Sequence, residues 1–311
     1  MYVTTYFAKR VMSLFPVYPR FEAPGLGERI RFDPSKADQE AEFSYHDEQQ
    51  YPIDNYFGFG LPLASLEVLD LGCYCGGKAV AWAERYGVRK ICGIDMLPTM
   101  IDAASRFASK HQVEAEFRVG FAESMPFPDN RFDAVVSFDV LEHVRDVAKV
   151  LSECYRVLRP GGRAYLIFPP YFHPTEHHLG LVSRTPCVHY LFSGKTLARA
   201  HSEMIQQRNE YWYYRPPELQ PWERCHTING TGVRTFDKLM KRSGFVSICR
   251  VDPPLFSVGR NASKMRVAKA AAILCRSLQL IPFTKEISTH RIVRVLEKPG
   301  SITTHCTELQ N

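Results

Sequence analysis

Each thing missing from this chain of 311 residues narrows what it can be. No run of 18 or more apolar residues occurs, so no membrane-spanning helix is expected. The opening residues, MYVTTYFAKRVMSLFPVYPRF, lack a charged segment followed by an apolar core and a small-residue cleavage site. No secretory signal is expected, and the location inferred is cytoplasmic. Nine cysteines are present without framework spacing, and only Cys73 and Cys75 lie close, as C-x-C. That spacing is tighter than the usual zinc or redox pair, so the cysteines read as reduced, buried thiols. There is no internal repeat and no low-complexity tract.

The composition, 45% hydrophobic and 23% charged, is ordinary for a globular protein. The length suits one α/β domain with insertions rather than two domains. The net charge of +6 is unevenly placed: residues 231–311 carry 14 Lys and Arg against 5 Asp and Glu, while residues 1–230 carry 25 against 28. A basic C-terminal quarter suits an anionic surface or an acidic ligand; a solvated helix face is the plainer reading.

Residues 1–64 have no clean period. From Leu66 short apolar runs recur at Leu66–Leu71, Lys90–Ile94, Ala115–Val119, Ala134–Phe138 and Ala164–Phe168. Between them lie helix-period segments at Gly77–Tyr86, Thr99–His111 and Val147–Leu158. Strands alternating with helices predict a parallel sheet covered on both faces. RPGG at 159–162 reads as a helix stop and a turn. Residues 169–230 break the alternation, and a connection that long is usually functional. It returns with RTFDKLMKRSGF, a helix ending at Gly244, then the run Val246–Val251, a helix over 264–281 and a last strand in HRIVRVLEK.

In open parallel sheets ligands bind beyond the C-terminal ends of the strands. Those ends read Asp70-Leu71-Gly72, Asp95-Met96, Phe121-Ala122-Glu123, Phe138-Asp139 and Pro169-Pro170. An acid about 20 residues beyond a glycine turn suits the two hydroxyls of a ribose, so the spacing points to a nucleoside-containing cofactor. Yet the turn itself, VLDLGCYCGGKA, has Tyr74 where a dinucleotide site wants a small residue.

Four segments, VLDLGCYCGG, GIDMLPTMIDAA, AESMPFPDNRFDAVVSFDVLEHV and RVLRPGG, together resemble the ordered motifs of class I S-adenosylmethionine-dependent methyltransferases. The branch they are most similar to is the small-molecule type 11 group, related to ubiquinone-type methylases. The resemblance covers roughly residues 66–170, with weaker support at 233–298. It implies a Rossmann-like α/β sheet, mostly parallel with an antiparallel last strand. It also implies an N-terminal lid over 1–64, a methyltransferase domain over 65–298 with a substrate insertion at 169–230, and a tail at 299–311.

By this resemblance S-adenosylmethionine is the cofactor and S-adenosylhomocysteine the product. Gly72, with the backbone of Cys73, Tyr74 and Gly76, cradles the methionine part, and Asp70 orients the loop or the amino group. Tyr74 then has to point away from the cofactor or cover it. Asp95 accepts from both ribose hydroxyls, Met96 lies against adenine, and Ala122 meets the adenine edge. Phe121 stands where the family often has Asp, so either Glu123 substitutes or adenine is held by apolar contact. Phe138 and Asp139 line the methionine end.

Methyl transfer is an in-line displacement that mainly requires positioning and exclusion of water. An oxygen nucleophile also gains from a general base near neutral pKa, which favours histidine. His143, in LEHV, reads as a base or as a structural residue at a helix start, nearer the methionine end. His173, His177 and His178 lie in the insertion that would shape the acceptor pocket, so the base is sought first among them. Metal ligation by His173, Glu176 and His177 or His178 is disfavoured by the neighbouring prolines, and no metal is expected. FPPY is similar to the motif of adenine N-methylases but follows the fifth strand and lacks the preceding Asp or Asn, so no nucleic-acid partner is expected. The cluster Tyr211, Trp212, Tyr213, Tyr214 and Trp222 reads as a pocket lining or as packing of the insertion.

The implied function is O-methylation of a small molecule, secondary metabolite or glycan intermediate. Two alternatives stand beside it. One is C- or O-methylation of a lipid-tailed acceptor at a membrane, touched peripherally through 264–281. The other is a binding protein without catalysis.

Overall fold

The computed structural model describes residues 3–15, 37–176, 183, 185–206, 229–257, 266–281 and 284–300. Helices α1 (Val3–Met12), α2 (Ala37–Gln50) and α3 (Asp54–Phe57) precede the sheet. Then β1 (Glu67–Leu71), α4 (Gly77–Tyr86), β2 (Lys90–Asp95), α5 (Pro98–Lys110) and β3 (Ala115–Val119) follow in strict alternation. Next come β4 (Phe132–Phe138), α6 (Val147–Val157) and β5 (Leu158–Phe168), and after these α7 (Val188–Leu191), α8 (Gly194–Gln206) and α9 (Val233–Met240). The chain closes with β6 (Val246–Val251), α10 (Arg266–Leu278), α11 (Lys285–Ser288) and β7 (Ile292–Glu297).

The seven strands form one sheet in the order β3-β2-β1-β4-β5-β7-β6. β1 to β5 pair in parallel, and β7 is antiparallel to both β5 and β6. The order reverses between β1 and β4, which is where an open α/β sheet opens its binding crevice. All five residues of β1 are buried, as expected of a strand covered on both faces, whereas the edge strands β3 and β6 are partly exposed.

From Ala134 on, period-two alternation divides the side chains between the faces, and the register shift between Phe132 and Ala134 sets Phe132 with Val135. Phe132 and Val135 of β4 and Leu166 and Phe168 of β5 pack with Val150 and Leu151 of α6 and Phe236 of α9. Ala134, Val136, Tyr165 and Ile167 face the other way, against Trp82 of α4 and the segment carrying Ile53, Phe57, Leu61 and Leu63. Asp146 caps α6 by accepting from the N–H groups of Ala148 (3.0 Å) and Lys149 (3.2 Å). Leu97 precedes a proline that opens α5, the position where a missing N–H costs nothing.

Two local readings change. RPGG does not separate helix from strand: β5 begins at Leu158, directly after α6, and pairs Phe132 with Leu158 before a register shift. The glycines form a bulge inside the strand, with Gly161 at φ 81°. Helix α9 stops at Met240, and turns occupy the residues up to Gly244. Helix α10 lies within the expected 264–281.

Candidate active site

The turn after β1 is shaped by its two neighbours. The N–H groups of Gly72 (2.9 Å) and Cys73 (3.0 Å) both donate to the carbonyl of Ile94 at the end of β2. Gly72 sits at φ 79°, and a Cβ there would collide with the Val140 side chain. Glycine is therefore required twice over, by its dihedral and by the chain that leaves β4 across it. The pair Gly76-Gly77 serves packing: a Cβ on Gly76 would lie 2.7 Å from that of Ala104, and one on Gly77 would strike the Ala41 carbonyl of α2.

Tyr74 adopts a left-handed conformation, φ 49°, uncommon away from glycine. Its ring packs with the cluster formed by Ala41, Tyr45, Cys75, Met100 and Phe107, on the side of α2 and α5, and does not line the cleft beside Gly72. Its N–H donates to Oδ2 of Asp95 (3.0 Å), while Oδ1 of Asp95 accepts from the N–H of Leu97 (3.0 Å). Each Asp95 oxygen is thus fixed by one backbone donor and keeps a further acceptor direction, as a vicinal diol requires. Burial pushes the Asp95 carboxyl up from its ordinary pKa, against the backbone N–H groups of Leu97, Tyr74 and Met96.

Asp70 lies one strand away. Its Oδ2 is buried with no hydrogen-bond partner among the described residues. Burial pushes its pKa up to about 8, opposed by the Lys78 ammonium and reinforced by the charges of Asp95 and Glu48. Lys78, in the first turn of α4, is held by the buried carboxylate of Glu48 (3.1 Å) and lies 4.6 Å from the centre of the Phe138 ring. A buried, unsatisfied carboxyl is costly unless a cation reaches it.

A cleft of roughly 680 Å³ opens here between Gly72 and Asp95 on one side and Gly120 to Glu123 on the other. Met96, Phe121 and Ala122 give it an apolar wall, with Met96 and Phe121 exposed at its rim. Oε1 of Glu123 accepts from the N–H of Arg145 (2.7 Å), so one of its oxygens holds the wall itself. His143 also lines this cleft. Asp139 takes φ 56° and reverses the chain after β4, and the His143 N–H closes a turn on the Val140 carbonyl (2.8 Å). The histidine thus shares the cleft with Gly72, Phe121 and Glu123.

Asp70, Phe138 and Asp139 do not line this cleft. The Phe138 ring meets Tyr56 edge to face at 5.6 Å. Asp139 faces Arg291 (3.2 Å), which also approaches Glu176 (3.8 Å). Arg291 escaped the sequence reading, although a charge at the start of an apolar strand, at the same sheet edge as the acids, is a signal that could have flagged it.

His173 is buried beside this group. Its Nδ1 accepts from the N–H groups of Thr175 (3.2 Å) and Glu176 (3.1 Å), so Nδ1 carries no proton. Nε2 therefore holds the proton and donates to Nδ1 of His290 (3.2 Å). Burial, with the Arg291 charge beside it, pushes His290 down to about 3, so it is neutral near pH 7. His177, His178 and the aromatic cluster Tyr211 to Trp222 lie outside the described residues.

Asp95 offers paired acceptors to a diol, the Met96–Phe121–Ala122 wall offers an apolar slot to a base, and the buried Asp70 carboxyl, protonated below about pH 8 in the free protein, ionises when a cation such as an ammonium reaches it.

The family model described as a methyltransferase domain matches residues 69–166. The chain is 37% identical over 172 residues to a demethylmenaquinone methyltransferase of Deinococcus radiodurans, covering 54% of this chain and 68% of that protein. It is 40% identical over 101 residues to a ubiquinone biosynthesis O-methyltransferase of Methylocella silvestris, covering 32% of this chain and 39% of that protein. Against other curated relatives the chain spans about half to two-thirds of their length. Among solved structures, phosphoethanolamine N-methyltransferase 2 of Haemonchus contortus, in complex with S-adenosyl-L-methionine, shares the fold. Its TM-score is 0.50 at 19% identity, covering 88% of this chain and 59% of that one.

Proposed function

The chain belongs to the class I methyltransferase family, and from that membership we propose that it transfers a methyl group from S-adenosylmethionine to a small-molecule acceptor, at oxygen. The observation that carries this reading is the pair of carboxyls at the ends of β1 and β2. Asp70 has a buried oxygen with no hydrogen-bond partner among the described residues, and Asp95 has both oxygens oriented by backbone donors. The first matches the cofactor's ammonium, the second its ribose diol. Bound there, the cofactor supplies an electrophilic methyl on a sulfonium. The protein's part is to hold the acceptor in line with it and keep water out.

Gly72 lets the backbone approach the methionine part, and Met96, Phe121 and Ala122 take the adenine. In the same reading 1–64 is a lid and 169–230 the acceptor insertion of a domain spanning 65–298. Two contacts support it: α2 packs directly on Gly77, and Lys9 of α1 pairs with Glu203 of α8 at 2.6 Å.

The experiment is a calorimetric titration of S-adenosylmethionine into the wild type and Asp95→Ala. Two charge-assisted hydrogen bonds contribute about 1.5–3 kcal/mol each, so affinity should fall at least about tenfold. Equal affinities would remove the cofactor from this cleft, and no binding by the wild type would leave a protein without this activity.

A further inference from the structure

The connection from β6 to β7 leaves the sheet at the edge where the site lies. β7 runs antiparallel to β5 and β6, so the end of β6 and the start of β7 share the edge at which β1 to β5 end. α10 and α11 occupy that edge. The inner side of α10 is tied down by the buried side chain of Cys275 and, just beyond the helix, by Gln279 Nε2. That nitrogen donates to the Asp252 carbonyl (3.0 Å) and to Thr289 Oγ1 (3.0 Å).

Its outer side inverts the usual pattern of a surface helix, which turns polar residues outward. Ile273 is 69% exposed, Leu274 61%, Leu280 84% and Ile281 51%: four large aliphatic side chains facing water within nine residues. Lys269 and Arg276 are exposed among them. From 253 to 284 the sequence has no Asp or Glu and five Lys or Arg.

We propose that this face seats the protein on an anionic lipid bilayer. The aliphatic side chains enter the acyl boundary, and Lys269 and Arg276 meet the headgroup charge. Pairing with a second copy would set these cations against their own counterparts, whereas an anionic surface complements them. With 13 residues α10 is too short to span, and among the described residues no helix is long and apolar enough to cross a membrane. Because the seated edge is the one carrying Asp70, Asp95 and Arg291, an acceptor with an apolar tail can pass from the lipid to the site without crossing water. The docking stands on the helix alone; the acceptor class rests on the methyl-transfer reading.

The test uses the full chain with vesicles of mixed phosphatidylcholine and phosphatidylglycerol, and with vesicles of phosphatidylcholine alone, followed by co-sedimentation. The wild type should bind the mixed vesicles and be released by added salt. Each basic residue near such a surface contributes roughly fivefold, so the double variant Lys269→Glu, Arg276→Glu should lose at least about tenfold in partitioning. Ile273→Asn with Leu274→Asn should lose as much while keeping the wild-type circular dichroism. Either result is overturned by wild-type partitioning that ignores lipid charge or by variants that bind as the wild type does. It is equally overturned by a dimer that the aliphatic variant dissolves in a protein that never binds vesicles. Cofactor titration is read separately: vesicle binding without S-adenosylmethionine binding sinks the methyl-transfer reading and leaves the docking, and the converse sinks the docking alone.

Discussion

Asp70 carries a conflict between stability and binding. Its folded pKa of about 8 lies well above the ordinary carboxyl value of 3.8. Between those two pH values the folded protein holds a proton that the unfolded chain has lost, so stability is fullest below about pH 4 and declines as pH rises to about 8. The decline should be on the order of a few kcal/mol. Asp70→Asn cannot ionise. Denaturation at pH 5 and pH 8 should show the variant gaining stability at the higher pH and losing most of the slope, while its cofactor affinity collapses; an unchanged slope would mean Asp70 is already ionised in the free protein. The histidines divide on the same reasoning from ring nitrogens. Both nitrogens of His173 are engaged, Nδ1 by two backbone donors and Nε2 by His290. We therefore propose that His173 holds the fold together here and takes no part in the reaction. His173→Ala should lower stability and leave the single-turnover rate close to wild type. The alanine variant of His177 or His178 should lose at least about a hundredfold with cofactor binding intact. If only His143→Ala fails, the base is His143.

Among the elements, α2 matters most to the site although its sequence is nearly featureless. Its Ala41 carbonyl lies against Gly77 so closely that no Cβ fits, and its Glu48 holds Lys78 beside Asp70. Gly77→Ala must push α2 away or shift the start of α4. Overpacking of this kind costs typically about 1–3 kcal/mol, so chemical denaturation should show a loss in that range, accompanied by faster proteolysis within α2. No loss would mean that α2 rests on the turn without constraining it. At the other end of the sheet, fully buried Arg294 of β7 ties α9 to the end of β6 through Asp237 (3.0 Å) and Asp252 (2.6 Å). A buried cation survives there because two carboxylates meet it.

For the whole molecule, a ligand that binds only the folded state raises stability by mass action. At a free concentration of a hundred times Kd, S-adenosylmethionine should contribute about 2.7 kcal/mol. For a chain of this length that corresponds to a rise of roughly 4 °C in the melting midpoint. Thermal scans with and without cofactor measure it, and Asp95→Ala should show little of the shift. A wild type that melts at the same temperature in both scans would contradict the assigned site.

The strands, their order along the chain and the acids at their ends were legible in the sequence, because each rests on local chemistry. Parallel strands buried on both faces must be short apolar runs, and a ligand carboxylate must sit where such a run stops; Asp70 and Asp95 are found at those stops. The oddity of Tyr74 was legible only as a choice between pointing away and covering the cofactor, and its packing on the α2 and α5 side came from the fold. What only the tertiary structure decided are meetings between distant segments. Glu48 reaches Lys78 over thirty residues, Arg291 meets Asp139 from the last strand, and His173 pairs with His290 across most of the second half of the chain. No periodicity encodes these, since each depends on which helix lands on which strand end. The reversal at Asp139 that brings His143 into the cleft with Gly72 is the same kind of event: it depends on how the chain leaving β4, with Asp139 at φ 56°, packs across the turn after β1.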